Sequence, residues 1–193
     1  MRFAQRSGYS DAVKYSPMEK VAREVAARLR ESGHIAYFAG GCVRDMVRGL
    51  IPKDYDIATD ARPEVVVIIA GVNDVYQGRS AESVERELEA MYDAARAAKI
   101  AVVAGAIIPY NSASADANAR MHAINEWIRA YAASHPDGVV FCDTRAAVAA
   151  PGQPDRLVSS PDGLHPSPEG YRLMATALEP VIRAALAKAR ALR

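Results

Sequence analysis

Apolar residues recur along the chain at two spacings, and each spacing predicts one kind of element. Between Met18 and Leu29 they return every three or four positions, which is typical of an amphipathic helix. Ser16 and Pro17 are a favourable N-cap and first helical residue, so a helix is predicted over residues 17–32.

Continuous apolar runs predict strands that are buried on both faces. They occupy residues 35–40, 65–71, 100–109 and 138–143, and the central strands are expected near 35–40, 65–71, 100–106 and 139–142. Helical periodicity returns between and after these runs, at residues 80–99, 113–134 and 168–189. Strands that alternate with helices predict an α/β fold with a mainly parallel sheet.

The expected architecture is a three-layer, flavodoxin-like α/β domain, with the N-terminal helix added over one face of the sheet. The run DYDIAT at residues 54–59 does not fit as a parallel neighbour of 65–71, because a parallel crossover needs about a dozen residues. It is predicted to be a short edge or antiparallel element. The Pro- and Gly-rich segment 147–163 and the tip at 110–116 are predicted to be loops.

Charge and composition narrow the possible partners. Lys and Arg number 24 against 23 Asp and Glu, for a formal net charge of +1, so no strong field would attract tRNA or a membrane surface. The polar N-terminus lacks the apolar run of a signal peptide, and VVVIIAGV is too short to span a bilayer. We therefore expect a soluble protein, cytoplasmic on expression, with Cys42 and Cys142 reduced.

The first segment carries a Gly-Gly turn, an Arg-Asp pair and a D-x-D motif within a short stretch. Over residues 17–63 it resembles the head of class II tRNA nucleotidyltransferases, which are the CCA-adding enzymes, and of bacterial poly(A) polymerases. The resemblance implies that the glycines and the arginine approach a nucleotide and that the D-x-D carboxylates bind Mg²⁺. The matching residues are Gly40, Gly41, Arg44, Asp45, Asp54 and Asp56.

The parts of that family that select the base and hold tRNA have no counterpart after residue 63. We therefore expect no tRNA partner and no required cofactor. The nucleotide turn and the Mg²⁺ ligands would be vestigial, and the alternative is that Asp54 and Asp56 are solvated acids at a strand edge.

The second segment carries G-x-N-D at residues 71–74 and D-x-x-H at residues 162–165, after a buried strand and roughly 90 residues apart. Over residues 64–193 it resembles the SGNH, or GDSL-type, hydrolases. The resemblance implies that His165 is the catalytic base, that Asp162 orients its ring and that Asn73 donates to the oxyanion.

The G-D-S-[LI] block that carries the serine of that family is absent from the sequence. If the strand at 35–40 replaced the first hydrolase strand, Gly40-Gly41-Cys42-Val43 would overlay this block. Cys42 is then a possible nucleophile; the alternative is an inert, partly buried thiol.

No flexible linker separates the segments, so 1–63 and 64–193 are expected to form one domain over residues 1–193. The junction favours a recombined or engineered chimera. The expected function is at most feeble hydrolysis of a small ester, because the serine is missing. The alternative is a nucleotide- or metal-binding remnant of the transferase head.

Overall fold

A computed structural model describes residues 15–52 and 54–191 of the chain. The chain divides into two compact units, Met1–Arg62 and Pro63–Arg193, and each is described by itself. This division falls beside the junction at residue 63 that the sequence predicts.

The first unit contains two helices and two short strands. The Ser16 hydroxyl accepts the Glu19 backbone N–H at 3.1 Å, which confirms the predicted start of the first helix. The elements are α1 (Pro17–Glu31), β1 (Ala36–Ala39), α2 (Gly40–Val47) and β2 (Asp56–Thr59).

The strand β1 does not join the parallel sheet, so the prediction of residues 35–40 as a central strand of that sheet is wrong. It pairs instead with β2 in a separate antiparallel sheet, in which Ala36 lies opposite Thr59 and Ala39 opposite Asp56. The physical reason is local. The chain returns through α2 directly to β2, so an antiparallel partner is available without the long crossover that a parallel one needs. The antiparallel placement of DYDIAT is confirmed.

The second unit is built on three parallel strands in the order β3-β4-β5. Val65 pairs with Ala101, and Val102 pairs with Val139. The elements are β3 (Val65–Ile68), α3 (Val72–Tyr76), α4 (Ala81–Ala97), β4 (Ala101–Gly105), α5 (Ala115–Ser134), β5 (Val139–Cys142), α6 (Thr144–Val148), β6 (Ala149–Ala150), β7 (Gln153–Leu157) and α7 (Pro168–Ala191).

Alternate residues of β4 face opposite layers, as the two-residue period of a strand requires. Val102 and Ala104 belong to the core that α4 and α5 cover. Ala101 and Val103 belong to the core on the other face, with Ala185 of α7. The three-layer α/β prediction is thereby confirmed.

One predicted loop differs from the structure. The strand expected near 100–106 agrees with β4, which ends at Gly105, and residues 106–110 stay buried after it. The segment 147–163 is not wholly loop, because it holds the end of α6 and the antiparallel pair β6-β7. Among the described residues, no helix is both long and apolar enough to cross a membrane.

We expect the whole chain to unfold in one cooperative transition. The buried hydrophobic residues described in the first unit are all small (Ala22, Ala26, Ala36 and Cys42), and so little core seldom stabilises a unit alone. Circular dichroism and the fluorescence of Trp127, the single tryptophan, should therefore report the same midpoint. A separate early transition that Trp127 does not sense would contradict this expectation, as would cooperative unfolding of an isolated 1–62 fragment.

Candidate active site

A cavity of about 300 Å³ in the second unit brings two of the predicted site residues together. Asn73 from α3 and His165 from the loop before α7 both line it. Much of the remaining lining is apolar, from Ile107, Leu164 and Met174. The cavity therefore offers a hydrogen-bond donor and a base beside an apolar surface.

The third predicted residue holds the histidine ring. Asp162 Oδ2 lies 2.7 Å from His165 Nδ1. With Nδ1 bonded to the carboxylate, Nε2 is the ring nitrogen left to accept a proton. His165 remains largely exposed, so a ligand in the cavity can reach its ring.

The Asp162 carboxylate also accepts hydrogen bonds from the backbone of its own loop. Its Oδ1 accepts the backbone N–H of His165 at 2.8 Å and of Leu164 at 2.9 Å. The pKa of the Asp162 carboxyl lies well below its usual range because the carboxylate accepts three hydrogen bonds. In decreasing order of effect, they come from the His165 backbone N–H, the His165 ring and the Leu164 backbone N–H. The group is therefore ionised at neutral pH and fixes the ring tautomer.

Further bonds limit the freedom of the D-x-x-H loop. Ser160 Oγ accepts the Gly163 N–H at 2.7 Å and lies 2.6 Å from the His165 carbonyl oxygen, to which it donates. The Asn111 N–H donates to the Gly163 carbonyl at 2.6 Å, where Gly163 has a φ of +78°. The loop is thus tied to the segment that follows β4.

The G-x-N-D motif opens α3 at the end of β3. Gly71 caps this helix with a φ of +112°, a conformation that L-residues seldom adopt. Asp74 binds Arg79 at 2.7 Å, which anchors the helix through its acidic residue. Asn73 lies between Gly71 and Asp74, is exposed and lines the cavity.

Three buried polar residues that bond to the segment after β4 were not predicted from the sequence. Asn125, Thr144 and Arg145 are the buried polar residues of the described chain, and all three bond to the backbone of Ala106 or Ile107. The position of Asn125 could have been found from the sequence, because it lies on the face of α5 that the apolar periodicity assigns to the core.

In the first unit, Cys42 is the third residue of α2 and is fully buried. Its thiol donates to the Ala39 carbonyl oxygen at 2.8 Å. The parallel sheet does not include β1, which removes the strand overlay that suggested a nucleophile here. The described environment of Cys42 is that of a packed thiol.

The structure brings together part of the predicted nucleotide turn. Gly40, with a φ of +66°, lies so close to Asp56 that a Cβ there would clash with the carboxylate oxygen. Arg44 is paired with the adjacent Asp45 at 2.8 Å, and Asp54 is exposed.

The other predicted turn residue, Gly41, lies beside Arg44, whose Nη2 would be 3.6 Å from a Cβ at that glycine. Across residues 15–52 and 54–191, no group of three or more His, Cys, Asp or Glu side chains is arranged to hold a metal ion.

Comparison with known proteins agrees with this geometry. The sequence model of the GDSL-like lipase/acylhydrolase family matches residues 5–173. A solved GDSL-like lipase from Bacteroides thetaiotaomicron superimposes with a TM-score of 0.55 and 28% identity, over 66% of this chain and 63% of that one. An acetyl esterase with a serine-to-alanine substitution, solved with an acetate ion, gives a TM-score of 0.53 and 27% identity, over 65% and 59%.

A second similarity is short. Poly(A) polymerase I of Haemophilus influenzae is 49% identical over 45 residues, which are 23% of this chain and 10% of the polymerase. The chain therefore spans about a tenth of the length of the curated relatives it matches, and less than two thirds of the two solved structures above.

Proposed function

This chain belongs to the GDSL-like lipase/acylhydrolase family, and on that premise we propose that its second unit is a hydrolase of small esters with an incomplete site. The observation that carries the proposal is the shared cavity of Asn73 and His165, with Asp162 bonded to the far nitrogen of the His165 ring. The likeness to an acetyl esterase solved with acetate supports a short acyl group as the substrate.

His165 acts as the general base. Its Nε2 takes a proton from a water molecule while the water oxygen forms the new C–O bond, and it returns that proton to the leaving alkoxide when the ester C–O bond breaks. The ionised Asp162 holds the ring and stabilises the imidazolium that forms in between. One water molecule is consumed, and the acid and the alcohol are the products.

Asn73 stabilises the charge that develops on the ester carbonyl oxygen. Its side-chain amide is a hydrogen-bond donor on a residue that lines the cavity, and the next residue, Asp74, is held by Arg79. Loss of one such donor costs on the order of 3 kcal/mol in the transition state.

The site is incomplete because the sequence has no G-D-S-[LI] block. Among the described residues that line the cavity there is no serine, threonine or cysteine. Without a side-chain nucleophile placed beside His165, turnover is slow. The proposed activity is therefore feeble.

The nucleophile is tested by assaying p-nitrophenyl acetate with wild type, Cys42→Ala and Cys42→Ser. We expect all three proteins to hydrolyse the ester at the same slow rate above buffer, because the Cys42 thiol is buried and bonded to Ala39. Intact-protein mass spectrometry should show no acetyl adduct on Cys42. An adduct that disappears in Cys42→Ala would instead restore the predicted thiol nucleophile. A wild-type rate equal to buffer would overturn the proposed hydrolase.

We also propose that the chain is a chimera whose first unit derives from a nucleotidyltransferase head. The short match to poly(A) polymerase I supports this origin. The alternative function, binding of a nucleotide with Mg²⁺, would use Asp54 and Asp56 beside the turn at Gly40. It is less favoured, because Arg44 is already paired with Asp45.

A further inference from the structure

The segment 106–110 is buried but belongs to no helix or strand. One backbone bond continues from the sheet, because the Ala106 N–H donates to the Cys142 carbonyl oxygen at 2.9 Å. A buried unpaired N–H or C=O is costly, and side chains supply the partners of the Ala106 carbonyl oxygen and of both backbone groups of Ile107. The buried polar side chains of the described chain converge on the first two residues of this segment, through Asn125, Thr144 and Arg145.

Asn125 makes the closest two-point contact with Ile107. Its Oδ1 accepts the Ile107 N–H at 2.6 Å, and its Nδ2 donates to the Ile107 carbonyl oxygen at 3.0 Å. An amide is a side chain that offers both an acceptor and a donor in one plane. Arg145 reaches the same carbonyl only at 3.4 Å, so Asn125 sets the position of Ile107 more tightly.

The Ile107 side chain is seated on the turn that precedes Asn73. A Cβ added at Gly71 would lie 2.7 Å from Ile107 Cδ1, so the isoleucine fills the space that only a glycine leaves. Gly71 caps α3, and Asn73 is the second residue of that helix. Ile107 and Asn73 also line the same cavity.

We propose that Asn125 is a positioning residue for Asn73, acting through Ile107 and the Gly71 turn. The inference rests on the proposed function of Asn73 as the oxyanion donor, but the contacts that carry it are independent of turnover. A donor displaced by a fraction of an ångström stabilises an oxyanion poorly. Two hydrogen bonds to one peptide unit hold Ile107 in place.

The test uses Asn125→Asp in the full chain. At pH 8 a carboxylate keeps an acceptor for the Ile107 N–H but offers no donor to the Ile107 carbonyl oxygen. We expect the side-chain amide signals of Asn73, assigned with Asn73→Ala, to shift at pH 8 relative to wild type.

Hydrolysis of p-nitrophenyl acetate at pH 8 supplies the second measurement. We expect kcat of Asn125→Asp to fall by roughly tenfold with KM unchanged. Ile107→Val, which removes only the methyl group that rests on Gly71, is the variant to use if Asn125→Asp does not fold. It should also shift the Asn73 amide signals.

Tyr131→Phe is the matched control, because it removes a 2.5 Å bond to Asp93 at the other end of α5. It should leave the Asn73 signals and kcat unchanged. Unshifted Asn73 signals in Asn125→Asp and Ile107→Val, or an equal shift in Tyr131→Phe, would overturn the inference. If wild type shows no turnover, the proposed function fails, and the amide signals still decide the role of Asn125.

Discussion

Replacing His165 with alanine is expected to lower kcat/KM for p-nitrophenyl acetate by about a hundredfold, or to the buffer rate if that is reached first. The variant loses the ring nitrogen that accepts the proton of the attacking group, while Asp162 keeps its bonds to the backbone N–H groups of the loop. The loop should therefore stay folded. The measurement is initial rate against substrate concentration, with the far-UV spectrum recorded to confirm folding.

His122→Ala is the matched control for this result. His122 Nε2 lies 2.7 Å from Asp155 Oδ1, so it is also an exposed histidine bonded to an aspartate. It does not line the cavity that holds His165 and Asn73. We expect its rate to equal that of wild type. Equal losses in the two variants would assign the effect to general destabilisation, and no loss in His165→Ala would remove His165 as the base.

The local chemistry of the site is predictable from the sequence because its motifs are short and continuous. In D-x-x-H, Asp162 is close enough in sequence to His165 to accept its backbone N–H and hold its ring. In G-x-N-D, the glycine permits the left-handed turn and the acid anchors the helix. Both motifs meet at one cavity because G-x-N-D follows β3 and the D-x-x-H loop is bonded through Gly163 to the segment that follows β4, the parallel neighbour of β3.

What sequence patterns do not fix is the choice of pairing partner. The apolar run of β1 is equally compatible with a central strand of a parallel sheet and with a strand of a separate antiparallel pair. The structure has the antiparallel pair, because β2 is close by along the chain. The role of Asn125 is also hidden, because it depends on Ile107, a residue 18 positions away on another element.

Gly71→Ala is expected to destabilise the protein by roughly 2–5 kcal/mol. A left-handed backbone costs an L-residue about 1–2 kcal/mol, and Gly71 has a φ of +112°. The new methyl group would also lie 2.7 Å from Ile107 Cδ1 and 2.9 Å from Val84 Cγ1, both buried. Overpacking of this kind adds about 1–3 kcal/mol. Urea unfolding at 25 °C measures the free-energy change.

Gly78→Ala separates the two causes of that loss. Gly78 also has a positive φ, of +87°, but a Cβ there meets no atom within 4 Å. It should therefore show only the backbone cost of about 1–2 kcal/mol. The excess in Gly71→Ala measures the contact with Ile107 and Val84. Because Asn73 follows two residues later on the helix that Gly71 caps, only Gly71→Ala should also lower kcat. Equal destabilisation by the two substitutions would show that contact with Ile107 and Val84 adds nothing to the cost at Gly71.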